Sequence, residues 1–256
     1  MNLKNTSDYH LIQGNCIEKL NNLAKNSVDL ICVDLPYGTS RNKWDQIIPF
    51  SEMWESFFYV LKSNGNIVLT ASQPFTSKLI CSNLLDFKYE IIWEKTIGSN
   101  QLNIKRQPLR IHESILVFYK NFGTYNEQKT NGKPYSINRT INFDGYGYGK
   151  QYSSSKRNDG FRHAKSIIKI PNPRIKGGHP TQKPLELMKF IVKTFSNEND
   201  IVLDCCMGSG TTGEAALSLN RKFIGIELDT NYFNIAIERL RNYDSEEKRS
   251  LFFRYC

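Results

Sequence analysis

The chain has 256 residues, 39% of them hydrophobic, with 34 Lys and Arg against 25 Asp and Glu for a net charge of +9. That length can bury one large core, so a single catalytic core carrying an insertion is expected in place of two independent domains. No apolar run reaches bilayer length, residues 1–10 are polar and the six cysteines show no Cys-x-x-Cys spacing. Together these argue against a membrane protein, a secretion signal, a disulfide framework and a structural zinc site, and they place the chain in the cytoplasm with no metal.

In chain order, Val28-Asp29-Leu30-Ile31-Cys32-Val33 is a mostly apolar run ending at Asp34, which predicts a buried strand. Residues 66–70 and 89–93 predict two more strands, with amphipathic helices over 51–61 and 74–84 between them, and 111–119 predicts another strand. The periodicity then dissolves into polar, Gly- and Ser-containing sequence that includes Gly145-Tyr146-Gly147-Tyr148-Gly149, so 121–170 reads as an inserted module. Regularity returns with a helix over 184–195, a strand over 201–203, a helix over 211–219, a strand over 222–226 and a helix over 231–240. The alternation predicts the α/β class: a doubly wound, mostly parallel, Rossmann-like sheet whose halves, 1–120 and 171–256, flank the insert.

The positive charge is local. Residues 99–178 hold fifteen Lys or Arg against four Asp or Glu, which leaves the remainder slightly acidic. Arg106, Arg110, Arg139, Lys156, Arg157 and Arg162 are interleaved there with aromatics such as Tyr135, Tyr146 and Phe161. Cations neutralise phosphates and rings stack on bases, so this stretch reads as a nucleic-acid surface.

Two short segments carry the chemistry. Asp204-Cys205-Cys206-Met207-Gly208-Ser209-Gly210 follows a predicted strand and opens a helix, with Thr211 and Glu214 spaced as a capping box and Gly213 completing a G-x-G-x-x-G pattern. Glu227 closes the next strand, where a carboxylate can accept hydrogen bonds from a ribose diol. A carboxylate at Asp204 would repel a pyrophosphate but suits the ammonium and sulfonium of S-adenosylmethionine, which separates that cofactor from a dinucleotide. Asp34-Leu35-Pro36-Tyr37 supplies the other half. An exocyclic amine on a base is a poor nucleophile, and Asp34 with the carbonyls of Leu35 and Pro36 can accept its hydrogen bonds while the Tyr37 ring offers a stacking surface. Lys43 and Trp44, in the loop over 38–45, are candidates for a lid over an extruded base or for phosphate contacts. Asn15 is a candidate base or cofactor contact, and equally a helix cap.

At these residues the chain resembles the β-class amino-methyltransferases of DNA, whose D-P-P-Y motif precedes the target-recognition segment and the cofactor motif, a permuted order. Asp34, Pro36 and Tyr37 match the catalytic motif, with Leu35 where Pro is usual. Asp204, Cys205, Met207, Gly208, Ser209, Gly210, Thr211 and Glu227 fall on the cofactor side, and His179-Pro180-Thr181-Gln182-Lys183-Pro184 looks like the family's cofactor-side segment, which places His179, Thr181 and Lys183 there too. The resemblance implies methyl transfer from S-adenosylmethionine to the exocyclic amine of adenine in duplex DNA, with the cytosine amine as the first alternative and an RNA or protein target as the second. It also implies a cognate restriction endonuclease and a homodimer as candidate partners.

Overall fold

The apolar run ahead of Asp34 is a strand because both of its faces are covered, which requires nearly every residue in it to be buried. It belongs to a computed structural model that describes residues 3–5, 8–40, 42, 45–138, 155–172 and 182–255. The elements in chain order are β1 (Leu3–Asn5), β2 (Tyr9–Gln13), α1 (Cys16–Leu20), β3 (Val28–Asp34), α2 (Phe50–Val60), β4 (Leu61–Ala71), α3 (Phe75–Ser82), β5 (Phe87–Ser99), β6 (Arg110–Phe118), β7 (Thr130–Asn131), β8 (Tyr135–Asn138), β9 (Ser155–Asn158), β10 (Phe161–Arg162), β11 (Ile167–Lys169), α4 (Leu185–Phe195), β12 (Ile201–Asp204), α5 (Thr211–Ser218), β13 (Lys222–Glu227) and α6 (Thr230–Tyr255).

The main sheet runs β1-β2-β13-β12-β3-β4-β6-β5-β11. Its centre, β2 through β4, is parallel, whereas β6 pairs antiparallel with both β4 and β5. Alternate residues of the central strands enter two separate cores, as a period of two demands. Leu30 and Cys32 of β3, Val68 of β4 and Val202 of β12 pack with α4, α5 and α6. Ile31 and Val33, Ile67 and Leu69, and Leu203 pack on the opposite face with α1, α2 and α3. The result is a doubly wound α/β fold with, among the described residues, three helices on each face. No helix among the described residues is long and apolar enough to cross a membrane.

The chain divides into two compact units, Met1–Asn126 with Ser166–Cys256, and Glu127–Lys165. The second carries two small antiparallel pairs, β7 with β10 and β8 with β9. Strand β11, although it lies in the stretch read from sequence as insert, joins the main sheet by parallel pairing of Ile167 to Lys169 with Ile92 to Glu94.

The third glycine of the cofactor loop pattern acts in packing. A Cβ at Gly213 would sit 2.7 and 2.8 Å from the Phe223 ring and 3.0 Å from Leu240, so only a glycine lets α5 lie this close to β13 and α6. Gly213→Ala is expected to lower stability by about 1–3 kcal/mol through overpacking, seen as a lower urea midpoint with an unchanged slope.

Candidate active site

Strands β3 and β12 are parallel neighbours, with Leu30 opposite Val202 and Ile31 opposite Leu203. The winding reverses between them: β3 leads outward to β4 and β12 leads the other way to β13. Ligands in open α/β sheets bind outside the carboxyl ends of strands at such a point. Here those ends are Asp34 and Asp204, and both line one cavity of about 900 Å³, with Pro36 and Lys183 near the former and Gly208 and Glu227 near the latter. That volume lies in the range of cofactor pockets.

On the first side, Asp34 is held by three donors. The Tyr37 hydroxyl donates to Oδ1 at 2.8 Å and the Thr70 hydroxyl donates to the same oxygen at 2.5 Å. Lys183 Nζ sits 2.8 Å from each carboxylate oxygen. The Tyr37 ring stacks on Phe75 with centroids 5.2 Å apart, and burial followed by the Asp34 charge pushes its hydroxyl well above the usual phenol range. Lys183 is buried, which opposes its charge, but Asp34, Tyr37 and Glu113 outweigh burial and hold the ammonium firmly protonated.

On the second side, the carboxylates organise the loop. Asp204 Oδ1 accepts the Cys206 N–H at 3.0 Å and Oδ2 accepts the Thr212 hydroxyl at 2.6 Å. Burial raises its pKa to about 7 although both donors pull the other way. Glu227 Oε2 accepts the Gly208 N–H and Oε1 the Asp229 N–H, each at 2.8 Å. Burial raises its carboxyl too. Each oxygen that accepts one internal hydrogen bond keeps capacity for another.

Two motifs distant in the chain thus share one cleft, and a family model described as DNA methylase matches residues 28–238. The chain belongs to the DNA methylase family. It is 31% identical to the Type II methyltransferase M1.MboII of Moraxella bovis, over 88% of this chain and 93% of that one. It is 30% identical to the DNA adenine methyltransferase YhdJ of Escherichia coli K12, over 93% of this chain and 85% of the relative. Among solved structures, the M1.HpyAVI–SAM complex superposes with a TM-score of 0.62 at 27% identity, covering 91% of this chain and 98% of that one. The cytosine-N4-specific PvuII DNA methyltransferase, at 16% identity and a TM-score of 0.65, shares the fold.

Within this DNA methylase chain the remaining candidates divide clearly. Cys205, Met207, Ser209 and Thr211 line the cavity with Asn15. Gly210 has φ +81° and is itself the N-cap of α5, with no side-chain cap bond, so the capping box expected from Thr211 and Glu214 does not form. Arg239 takes both residues instead: its guanidinium donates to the Thr211 hydroxyl at 2.6 Å and pairs with Glu214 at 3.4 Å. The same guanidinium reaches Gln182 at 3.1 Å, tying α6 to the segment before α4. Asn15 caps α1, accepting from Ile17 N at 2.9 Å and Glu18 N at 3.3 Å. Leu35 turns its side chain into the core. Lys183, placed by sequence with the cofactor residues, directs its amine at Asp34.

His179, Thr181, Lys43, Trp44 and Arg139 lie outside the described residues, and of Lys156 only the backbone, within β9, is described. The 38–45 loop is anchored by a residue the sequence did not single out: Asp45 accepts N–H groups from Gly38, Thr39 and Ser40 at 2.6–2.9 Å. Arg106 is exposed, and Arg110 donates to the Ser72 hydroxyl at 2.8 Å. In the small unit Arg157 is exposed, whereas Arg162 bonds Asn158 and the Lys133 carbonyl and covers the Tyr135 ring at 4.4 Å, a role internal to that unit.

An ionised Asp204 attracts a cationic ligand, and protonation as pH falls through about 7 removes that attraction. Affinity for S-adenosylmethionine is therefore expected to drop about tenfold between pH 8 and pH 6 by titration calorimetry, and Asp204→Asn should flatten the dependence.

Proposed function

We propose that Asp34 is the acceptor that orients the exocyclic amine of an extruded adenine, and that the loop from Asp204 to Gly210, with Glu227, holds S-adenosylmethionine beside it. The observation that carries this reading is the shared cleft at the β3–β12 switch point. The residues fit that cofactor: two acidic side chains with spare acceptor capacity face a cavity of suitable size, and a glycine loop leads into a helix. The cofactor supplies an electrophilic methyl group.

The protein's own contribution is positioning and charge. The Asp34 carboxylate accepts an N–H of the target amine and aims the nitrogen lone pair, while the Leu35 and Pro36 carbonyls at the turn offer further acceptors. As the new N–C bond forms, the methyl–sulfur bond of the donor would break with its electron pair left on a neutral thioether, the nitrogen would become cationic, and the Asp34 carboxylate would stabilise that charge before the extra proton leaves toward Asp34 and solvent. An amine engaged in base pairing cannot reach Asp34, so the base must leave the stack.

Adenine is supported by the family resemblance, in which Asp at the first motif position goes with adenine and Ser with cytosine, and by the relative named as an adenine methyltransferase. The cytosine amine is the second reading, since it needs nearly the same site. The basic residues of the 127–165 unit support a role in holding duplex DNA and reading its sequence. A paired restriction endonuclease and a homodimer rest on family resemblance alone.

Asp34→Ala is expected to reduce methyl transfer about a thousandfold while keeping affinity for S-adenosylmethionine, measured by a tritiated-methyl assay beside calorimetry. Near-normal transfer would remove Asp34 from the mechanism. Mass analysis of nucleosides from modified DNA should yield N6-methyladenine, and N4-methylcytosine would replace the first reading by the second.

A further inference from the structure

Behind the reacting end of the cleft lies a line of four charged side chains drawn from three strands and the segment before α4. Asp34 ends β3, Lys183 precedes α4, Glu113 lies in β6 and Lys95 in β5. Lys183 Nζ is 2.8 Å from Asp34 and 3.1 Å from Glu113 Oε2, and Lys95 Nζ is 2.9 Å from Glu113 Oε1. Their side chains are 29%, 9%, 15% and 5% exposed from Asp34 to Lys95. Two carboxylates and two ammoniums alternate, so the row is neutral as a whole although each charge is largely removed from water.

We infer that Lys183 is a positioning residue for Asp34, with Glu113 and Lys95 as its counter-charges, and not a contact of the cofactor. The inference rests on the reading of Asp34 as the amine acceptor. An ionised carboxylate offers about four acceptor sites. Tyr37 and Thr70 occupy Oδ1, and Lys183 straddles both oxygens from its own side. These three donors stop the carboxylate from rotating and leave little more than one direction, the cleft, from which another N–H can approach.

Glu113 answers a second need. The target nitrogen gains positive charge as the N–C bond forms, and an ammonium one carboxylate away would oppose that gain. With Glu113 on its far side Lys183 is shared between two carboxylates, so its field at the nitrogen is reduced while its hydrogen bonds to Asp34 persist. Lys95 in turn keeps Glu113 ionised: burial pushes that carboxyl up, but Lys183 and Lys95 together hold it below the usual carboxylate range. Lys183 cannot serve as the base that removes the amine proton, because it is already protonated and lies between two acids.

The test separates turnover from cofactor binding. Lys183→Met should lower kcat at saturating S-adenosylmethionine by about 10- to 100-fold, the cost of a misplaced reacting group, while the Kd for that cofactor stays within about twofold. Lys183→Arg, which keeps a cation between the two acids, should recover most of the rate, and Glu113→Gln should lower kcat with cofactor affinity intact. Since Glu113 is argued to act through Lys183, adding Glu113→Gln to Lys183→Met should cost little more. A raised Kd with normal kcat would make Lys183 a cofactor contact and overturn the inference, as would an unchanged kcat in Lys183→Met or, if that variant does not fold, in Glu113→Gln. Asp34→Ala in the same assay tells the two failures apart. An inactive Asp34→Ala beside a fully active Lys183→Met removes only the role of Lys183, whereas an active Asp34→Ala removes the functional reading beneath it.

Discussion

The parallel pairing of β3 with β12 is the constraint on which the site depends. Side chains in a strand alternate with a period of two, so a one-residue slip between these neighbours would turn every buried group to the wrong face and offset the two carboxyl ends. Asp29 acts at the other end of the pair. It accepts the Ile201 N–H at 2.9 Å and holds Lys62 at 2.7 Å, which joins the first turns of β12, β3 and β4. With the amino ends tied and both faces packed, Asp34 and Asp204 emerge side by side.

Three acids in and behind this cleft, Asp204 buried and Asp34 and Glu113 partly so, are compensated in different ways, and the differences follow from their partners. Glu113 faces two ammoniums and is held ionised. Asp204 faces only a backbone N–H and a hydroxyl, which cannot offset complete burial, so it titrates near neutrality. Asp34 combines both kinds of partner, two hydroxyls and one ammonium. A loop carboxylate held by an N–H and a hydroxyl and a carboxylate with its own resident cation are thus physically distinct, although both end parallel strands.

The glycine loop is likewise supported from outside its own sequence. Arg239 of α6 meets Ser209, Thr211, Glu214 and Gln182 within 2.6–3.4 Å, so the glycine loop, the helix it opens and the segment carrying Lys183 are joined by one guanidinium. The planar fork of arginine suits such a junction, which a lysine could not make. In the small unit Arg162 plays a comparable local part, while the exposed Arg157 guanidinium lies 3.8 Å from the Asp159 carboxylate. Counting basic residues along the chain could not separate those two roles.

The sequence by itself determined what depends on neighbours in the chain. Apolar runs closed by Asp34 and Asp204, helices of regular period, and a glycine loop are local patterns, and each predicted element from 66–70 to 231–240 is present. Tertiary structure alone decided what depends on distant partners. Lys183 turns toward Asp34, 149 residues away, because β3 lies beside the start of α4 in space. Glu113 is one polar residue within a strand, and only the fold sets it between two ammoniums. The capping box failed although Thr211 and Glu214 had the right spacing, because Gly210 at φ +81° is itself the N-cap and Thr211 lies inside the helix, where Arg239 of α6 meets both side chains. Periodicity reports which face of an element is apolar; which buried charges meet is settled by strand order, and strand order is a property of the whole chain.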